Sequence, residues 1–202
     1  MIEIIEQHHS QMGETEIRLA LNNVQDIYCA QTELIKETYT QNSTAGQRYY
    51  SLDPKIIKIT NVQVNDVDIP RILGRPIIDD DEFDSQPGLG AGGTASNERY
   101  WYVDSGRLGV IEKIAGVTTR DDRTSNYQSI SVAKELRIYA ISKATDFTTD
   151  LTEVSLIPTE FHEALVYKVI ADGYLKSGHN NFNPENSAIF DMKYKELVKE
   201  GK

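Results

Sequence analysis

The sequence predicts an α+β protein: a helical bundle, with a long N-terminal helix and two C-terminal helices, and an inserted small antiparallel β-region. Apolar residues recur at helical spacing near both ends of the chain, and β-branched residues alternate with polar ones between them. Helices and strands do not alternate along the chain, which argues against a parallel α/β sheet. We expect an N-terminal arm and long helix over 1–47, a β-rich region over 48–150 with a long loop at 71–99, and C-terminal helices over 151–202. The helical parts, 14–40 and 151–199, are expected to pack as one domain.

Charge and composition narrow the classes of function. The chain has 202 residues, a formal net charge of −10 and a single cysteine, Cys29. A chain of this length can bury a core without disulfides, and one cysteine indicates synthesis in a reducing compartment. The acidic balance argues against a protein that grips nucleic-acid phosphates, because that needs clustered Lys and Arg. No apolar stretch reaches the ~20 residues of a membrane span, and the acidic N-terminus is unlike a signal peptide. We therefore expect a soluble protein with no membrane partner.

The first long element is a predicted helix over residues 14–40, preceded by a short extended arm over 1–13. Its apolar residues are spaced by three and four, which places them on one face. That seam is about seven turns long, enough to pack against another helix or a neighbouring subunit. We expect the seam to include Ile17, Leu21, Val24, Tyr28 and Ile35, and to meet Leu165 and Val169 of a later helix.

The middle of the chain predicts antiparallel strands. Residues 49–65 are rich in β-branched side chains, and a tight hairpin is expected about Asn65 and Asp66. A second hairpin is predicted over 100–111, with Gly106 where a positive φ is needed, and a further strand over 130–141. Aromatic residues concentrate in these strands, where cross-strand packing is the favoured interpretation. A platform for single-stranded nucleic acid would also need basic surroundings, which the net charge of −10 disfavours.

Residues 71–97 predict a long surface loop. They contain an acidic run, DDDE, and a glycine-rich run, GLGAGG, with few apolar residues. The glycines lack the preceding strand, following helix and Lys-Ser/Thr pair of a phosphate loop, and the acidic run lacks the ligand spacing of an EF-hand. Loops of this length in compact domains are usually functional, often as contacts to partners.

Two helices are predicted at the C-terminal end. Residues 151–178 show the clearest helix pattern: Pro158 and Thr159 mark its start, an apolar stripe follows, and Gly178 marks its end. Pro184 opens the last helix, which has an amphipathic face.

The residue types needed for catalysis do not occur in recognisable patterns. Cys29 has no evident histidine partner, and there is no nucleophile-elbow motif. His162 would need a second histidine four residues on to form a zinc pair, but that position holds Val166. The sequence therefore predicts neither an enzyme nor a cofactor or metal site.

Four segments, taken in order, carry a family resemblance: YYSLDPKIIKITNVQVN, RYWYVDSGRLGVIE, ELRIYAIS and LIPTEFHEALVYKVIADGYL. Their succession over about residues 14–194 resembles the head–tail connector (portal adaptor, or ring) proteins of tailed bacteriophages, especially short-tailed ones. The resemblance implies a structural virion protein at the portal vertex, assembled in the host bacterial cytoplasm. It implies a homo-oligomeric ring, expected to be a dodecamer, that docks under the portal protein and joins it to the next tail or ring component. Genomic double-stranded DNA would pass through the channel without sequence-specific binding.

The resemblance also suggests which residues make contacts. The C-terminal segment 179–202 is the candidate for docking on the portal, although its helix could instead cover the domain's own core. Other minor virion proteins (tail-completion or capsid-side) and non-catalytic binding modules remain alternative interpretations. The portal-docking candidates are Phe182, Ile189, Phe190, Tyr194, Leu197 and Val198, and the candidates for a tail-side or intersubunit loop are Asp79, Asp80, Asp81, Glu82, Phe83 and Leu89.

Overall fold

A computed structural model describes residues 1–73, 95–114, 127–148, 155–176 and 181–202. The helices are α1 (Ile2–His8), α2 (Glu14–Thr32), α3 (His162–Tyr174), which follows a 3₁₀ turn at Thr159–Phe161, and α4 (Pro184–Glu200). The strands are β1 (Lys36–Asn42), β2 (Tyr49–Ser51), β3 (Ile56–Val64), β4 (Val67–Ile69), β5 (Ala95–Asp104), β6 (Arg107–Ile114), β7 (Tyr127–Ser129) and β8 (Glu135–Ser142).

The chain divides into two compact units. The helical unit comprises Met1–Glu37, Lys55–Lys58 and Ile141–Lys202, and it contains all four helices just named. The β-unit comprises Thr38–Pro54 and Ile59–Ala140.

The predicted fold class is wrong in its emphasis. The described residues form an α+β fold in which strands dominate: eight strands in two antiparallel sheets, beside four helices. They do not form a helical bundle organised by a long N-terminal helix and carrying a small β-insertion. The difference arises because residues 36–40, predicted as helix, belong to strand β1, and residues 127–129, outside the predicted strands, form β7.

Helix α2 ends at Thr32, well before the predicted residue 40. Glu33 adopts a left-handed conformation with φ of 53°, and its N–H donates to the carbonyl of Cys29, which closes the helix. The next segment, KETYTQN, forms strand β1, in keeping with its threonines and Tyr39. Ile35, predicted in the helical seam, therefore lies between α2 and β1.

Residues 2–8 form a helix where an extended arm was expected. Seven residues are too few for a stable isolated helix, so its stability comes from tertiary contacts. Ile5 is fully buried and supplies one of them, and His9, just after the helix, supplies another.

The first sheet has the strand order β1-β8-β3-β4. Its neighbours β1 and β8 run antiparallel, since the Ser43 N–H donates to Lys134 at one end and the Ser142 N–H donates to Ile35 at the other. The β3–β4 hairpin turns at Asn65 and Asp66, both with positive φ, as a two-residue turn of this kind requires. This hairpin lies where the sequence predicted it.

The second sheet has the order β2-β6-β5, with β7 paired to β6. The β5–β6 hairpin turns at Ser105 and Gly106, again with positive φ at both, as predicted for Gly106. Gly109 on β6 pairs with Tyr49 of β2 on one side and Tyr102 of β5 on the other. The two rings meet edge to face across it, with centroids 6.1 Å apart. Because Gly109 has no side chain, the rings of Tyr49 and Tyr102 can pack over its backbone.

A buried carboxylate organises the segment after β7. Glu112 on β6 is fully buried, and its Oε1 accepts from the amide of Gln128 at 3.0 Å and the backbone N–H of Ser131 at 2.9 Å. Its Oε2 lies 3.7 Å from Nε of Arg99 on β5. A carboxylate is tolerated in a protein interior only when it is paired and hydrogen-bonded. Glu112 therefore holds Arg99, Gln128 and Ser131 in position around it.

The packing at Gly109 makes a direct prediction. A Cβ there would lie 2.3 Å from Cζ of the buried Tyr102 ring, so Gly109→Ala should displace that ring and destabilise the protein by about 1–3 kcal/mol. Gly13→Ala is the control, because a Cβ at Gly13 meets nothing within 4 Å. Since Gly13 is the N-cap of α2, where Ala is less favourable than Gly, this variant should lose no more than about 1 kcal/mol. Urea unfolding measures both, and equal free energies of unfolding for the two variants would contradict this packing.

Candidate interaction surface

The six portal-docking candidates divide into three groups on the structure. Tyr194 and Val198 are buried, with 3% and 8% of their surfaces exposed. Phe182 and Ile189 are each 53% exposed. Phe190 and Leu197 are half-buried against the core of the helical unit. Of the six candidates, the exposed pair therefore offers a partner the most surface without rearrangement.

Helix geometry explains this division. Tyr194 and Val198 are four residues apart on the face of α4 that packs into the helical unit. The Tyr194 hydroxyl donates to Oε1 of Gln31 on α2 at 2.8 Å, and burial raises the pKa of Tyr194 to about 12. Lys168 on α3 bonds Oδ1 of Asp191 on α4 at 3.1 Å, which holds that face in place.

The start of α4 is also held firmly. The side chain of Asn183 accepts hydrogen bonds from the backbone N–H groups of Glu185 and Asn186, at 3.1 and 3.0 Å, as a helix N-cap does. The backbone N–H of Asn183 donates to the carbonyl of Tyr174 at the end of α3, at 3.0 Å. Phe182 directly precedes Asn183, so the hydrogen bonds of Asn183 also restrict the backbone at Phe182.

One exposed residue on α4 was missed. Met192 is 62% exposed and lies three residues after Ile189, so both are on the outward face of the helix. The helical period could have found it: the buried residues Tyr194 and Val198 define one face, and Ile189 and Met192 fall opposite. We call Phe182, Ile189 and Met192 the α4 outer patch.

The predicted helix seam lies in the interior of the helical unit. One hydrophobic cluster contains its members from α2 and α3, and Ile35 packs against the edge of that cluster. The outer face of α2 instead exposes Leu19 and Ile27. The members of the seam found in the cluster are Ile17, Leu21, Val24, Tyr28, Leu165 and Val169.

The N-terminal histidines hold α1 against α3. The ring of His9 is buried, with Nε2 2.9 Å from the carbonyl oxygen of Ile170. Gly173 makes room for that ring, since a Cβ there would lie 2.5 Å from Nε2. Nδ1 of His8 lies 3.2 Å from the Tyr174 hydroxyl. Burial chiefly, with smaller contributions from His9 and Lys193, lowers the pKa of His8 below its ordinary value of 6.5.

Cys29 and His162, the residues considered above for catalysis or zinc binding, each lie in a structural position. Cys29 is buried and burial raises the pKa of its thiol, which disfavours the nucleophilic thiolate. Nε2 of His162 lies 2.8 Å from the carbonyl oxygen of Ile157, a contact that fixes the entry to α3. Over the ranges that the structure describes, no group of three or more His, Cys, Asp or Glu side chains is placed to hold a metal ion.

A comparison with protein-family models identifies the chain. The model described as SU10 adaptor protein matches residues 11–200. The chain belongs to this family. The resemblance to phage head–tail connector proteins is therefore confirmed. No curated protein is detectably similar to the chain.

Family membership settles the coarse function. The adaptor is a structural protein of the phage virion, and its family implies contacts with other head or tail components. No helix among the described residues is long and apolar enough to cross a membrane. The residues predicted to make the tail-side or intersubunit loop, Asp79, Asp80, Asp81, Glu82, Phe83 and Leu89, lie outside the described part of the adaptor.

The His8 contact predicts a pH dependence of stability. Because folding lowers the pKa of His8, the unfolded chain takes up a proton near pH 6.5 that the folded adaptor resists. The free energy of unfolding should therefore fall as the pH drops below about 6.5 and level off below the lowered folded pKa. His8→Gln removes this titration, so its loss of stability between pH 7.5 and 5.5 should be smaller than that of the wild type. Equal losses, measured by urea unfolding at both pH values, would contradict the prediction.

Proposed function

We propose that the adaptor is a subunit of a homo-oligomeric ring that docks under the portal protein and joins it to the next tail component. The observation that carries this proposal is the family match over residues 11–200, which spans both compact units. Genomic double-stranded DNA would pass through the ring. The ring is proposed to sit at the portal vertex of the virion, after assembly in the host bacterial cytoplasm.

The α4 outer patch is the proposed portal contact. Its three residues expose apolar surface beside charged side chains such as Lys193 and Glu196. An apolar centre with a polar rim is typical of a protein–protein interface. The patch also rests on a rigid support, since α4 is anchored by its N-cap and by the Lys168–Asp191 ion pair. A preorganised surface loses less entropy on binding.

The outer face of α2 is the proposed contact with a neighbouring copy. Leu19 and Ile27 are both exposed, and they lie on the same side of the helix about 12 Å apart along its axis. A closed ring needs two different surfaces on each subunit, because its interfaces are head to tail. The outer face of α2 and the loop containing residues 79–89 are candidates for those surfaces, and the same loop is the candidate for the tail-side contact. We expect a dodecamer.

The net negative charge of the chain supports a role in forming a channel for DNA. With a net charge of −10, the adaptor lacks the clustered positive charge that binds phosphates strongly. A lumen that repels phosphates would let DNA slide through without trapping it. Passage without sequence-specific binding follows from the same argument.

Portal docking is tested with the double variant Phe182→Ser/Ile189→Ser. Both side chains are exposed, so the fold should survive, while the loss of apolar contact should weaken binding to purified portal rings by at least about tenfold. Val132→Ser is the matched control, since Val132 is an exposed aliphatic residue of the β-unit, and it should bind as the wild type does. Surface plasmon resonance measures the affinity and circular dichroism the fold. Unchanged affinity of the double variant would assign the portal contact to another surface.

Assembly is tested by light scattering on the full-length protein, alone and with portal rings, followed by negative-stain imaging. We expect closed rings seated on the portal, with a channel wide enough for duplex DNA. A strict monomer that does not bind the portal would favour another minor virion protein, such as a tail-completion protein. In the same assay, Leu19→Glu/Ile27→Glu should reduce ring formation, because it places charge in the proposed subunit contact.

A further inference from the structure

An open groove lies beside the α4 outer patch, between the end of α3 and the start of α4. Its volume is about 340 Å³, and it is lined by Tyr174, Asn181, Phe182, Asn183 and Asn186. All five residues belong to the helical unit. The volume is at the lower end of the ~300–1,000 Å³ that is typical of ligand sites.

Contacts from three helices fix the walls of this groove. The Tyr174 ring stacks on Phe190 of α4, with centroids 6.1 Å apart, and its hydroxyl is 3.2 Å from Nδ1 of His8. Nδ2 of Asn181 donates to the carbonyl oxygen of His8 at 3.3 Å. Asn183 is held by its cap bonds to the first turn of α4. Because three of the five lining residues, Tyr174, Asn181 and Asn183, are held by these contacts, much of the groove is formed before any partner arrives.

The five described side chains that line the groove are neutral but rich in hydrogen-bonding groups. Asn181 uses its amide nitrogen on His8, and Asn183 uses its carbonyl oxygen on the helix cap. Asn181 therefore keeps an acceptor and Asn183 keeps donors, while the Asn186 amide makes no hydrogen bond within the described chain. This pattern of neighbouring donors and acceptors matches the alternating N–H and C=O groups of an extended peptide main chain.

The absence of charge from the five lining side chains disfavours phosphate, carboxylate or metal ligands, which need opposite charge. Tyr174 and the exposed Phe182 add apolar surface that could receive one side chain of a bound segment. Amide and aromatic side chains can also bind sugars. A protein segment is favoured here, because the family assigns head and tail proteins as the partners of the adaptor.

We propose that this groove binds a short, uncharged, extended segment of the portal protein, and that it recognises the main chain of that segment through Asn181, Asn183 and Asn186. The proposal rests on the portal docking proposed above and names the form of the portal segment. The segment adds main-chain hydrogen bonds to the apolar contacts of the adjoining α4 outer patch.

The test uses the full-length adaptor and two probes: purified portal rings, and overlapping synthetic peptides that cover the tail-facing surface of the portal protein. Asn186→Leu removes the amide at similar size without removing the Asn183 cap, and it should weaken binding of both probes by about tenfold. Asn42→Leu is the matched control, because Asn42 is an exposed asparagine at the end of β1, in the β-unit, and its binding should equal that of the wild type. Methylation of the main-chain nitrogens of the binding peptide should cause a comparable loss at specific positions.

Three results would overturn the proposal. The first is loss of portal binding in Phe182→Ser/Ile189→Ser together with unchanged binding in Asn186→Leu, which would leave portal docking standing and remove the groove from it. The second is a binding peptide that is insensitive to N-methylation. The third is displacement of the peptide by a neutral oligosaccharide such as maltotriose, which would assign the groove to sugars. Failure of the wild-type adaptor to bind portal rings would instead refute the proposed function itself.

Discussion

Burial of α3 is the constraint on which the helical unit depends. Seven of its 13 residues are buried, six of them with apolar side chains and the seventh a glycine, and they lie around more than one face of the helix. A helix of this kind must be covered on several sides. Helices α1, α2 and α4 each contribute apolar residues to the cluster around it, including Ile5, Leu21 and Val198. Lys168, a charged residue of α3, stays at the edge of that cluster through ion pairs with Asp172 and Asp191.

Long, strongly periodic elements could be predicted from the sequence, and short ones could not. The hairpins at Asn65-Asp66 and Ser105-Gly106 were predictable because their turn residues favour positive φ. The end of α2 was not, because Leu34 and Ile35 continue the helical spacing and Glu33 is not a residue that usually adopts the left-handed conformation. Helix α1 was missed because it is stable only when docked on α3.

The candidate interaction residues show a similar limit. The amphipathic pattern of α4 correctly indicated an apolar face, but a pattern does not say whether that face meets the protein's own core or a partner. The structure assigns Tyr194 and Val198 to the core and leaves Phe182, Ile189 and Met192 outside. The groove beside them could not be predicted, since it depends on a contact between Asn181 and His8, which are 173 positions apart.

The packing of α1 against α3 constrains the order in which the chain folds during synthesis. His9 leaves the ribosome well before its acceptor on Ile170, which follows 161 positions later. The β-unit, which ends at Ala140, is complete before that acceptor has been made. Since contacts distant in sequence form late and domains fold as they emerge, the N-terminal helix must wait undocked while the β-unit folds. Helix α1, which is translated before the β-unit, thus reaches its native position after the β-unit does.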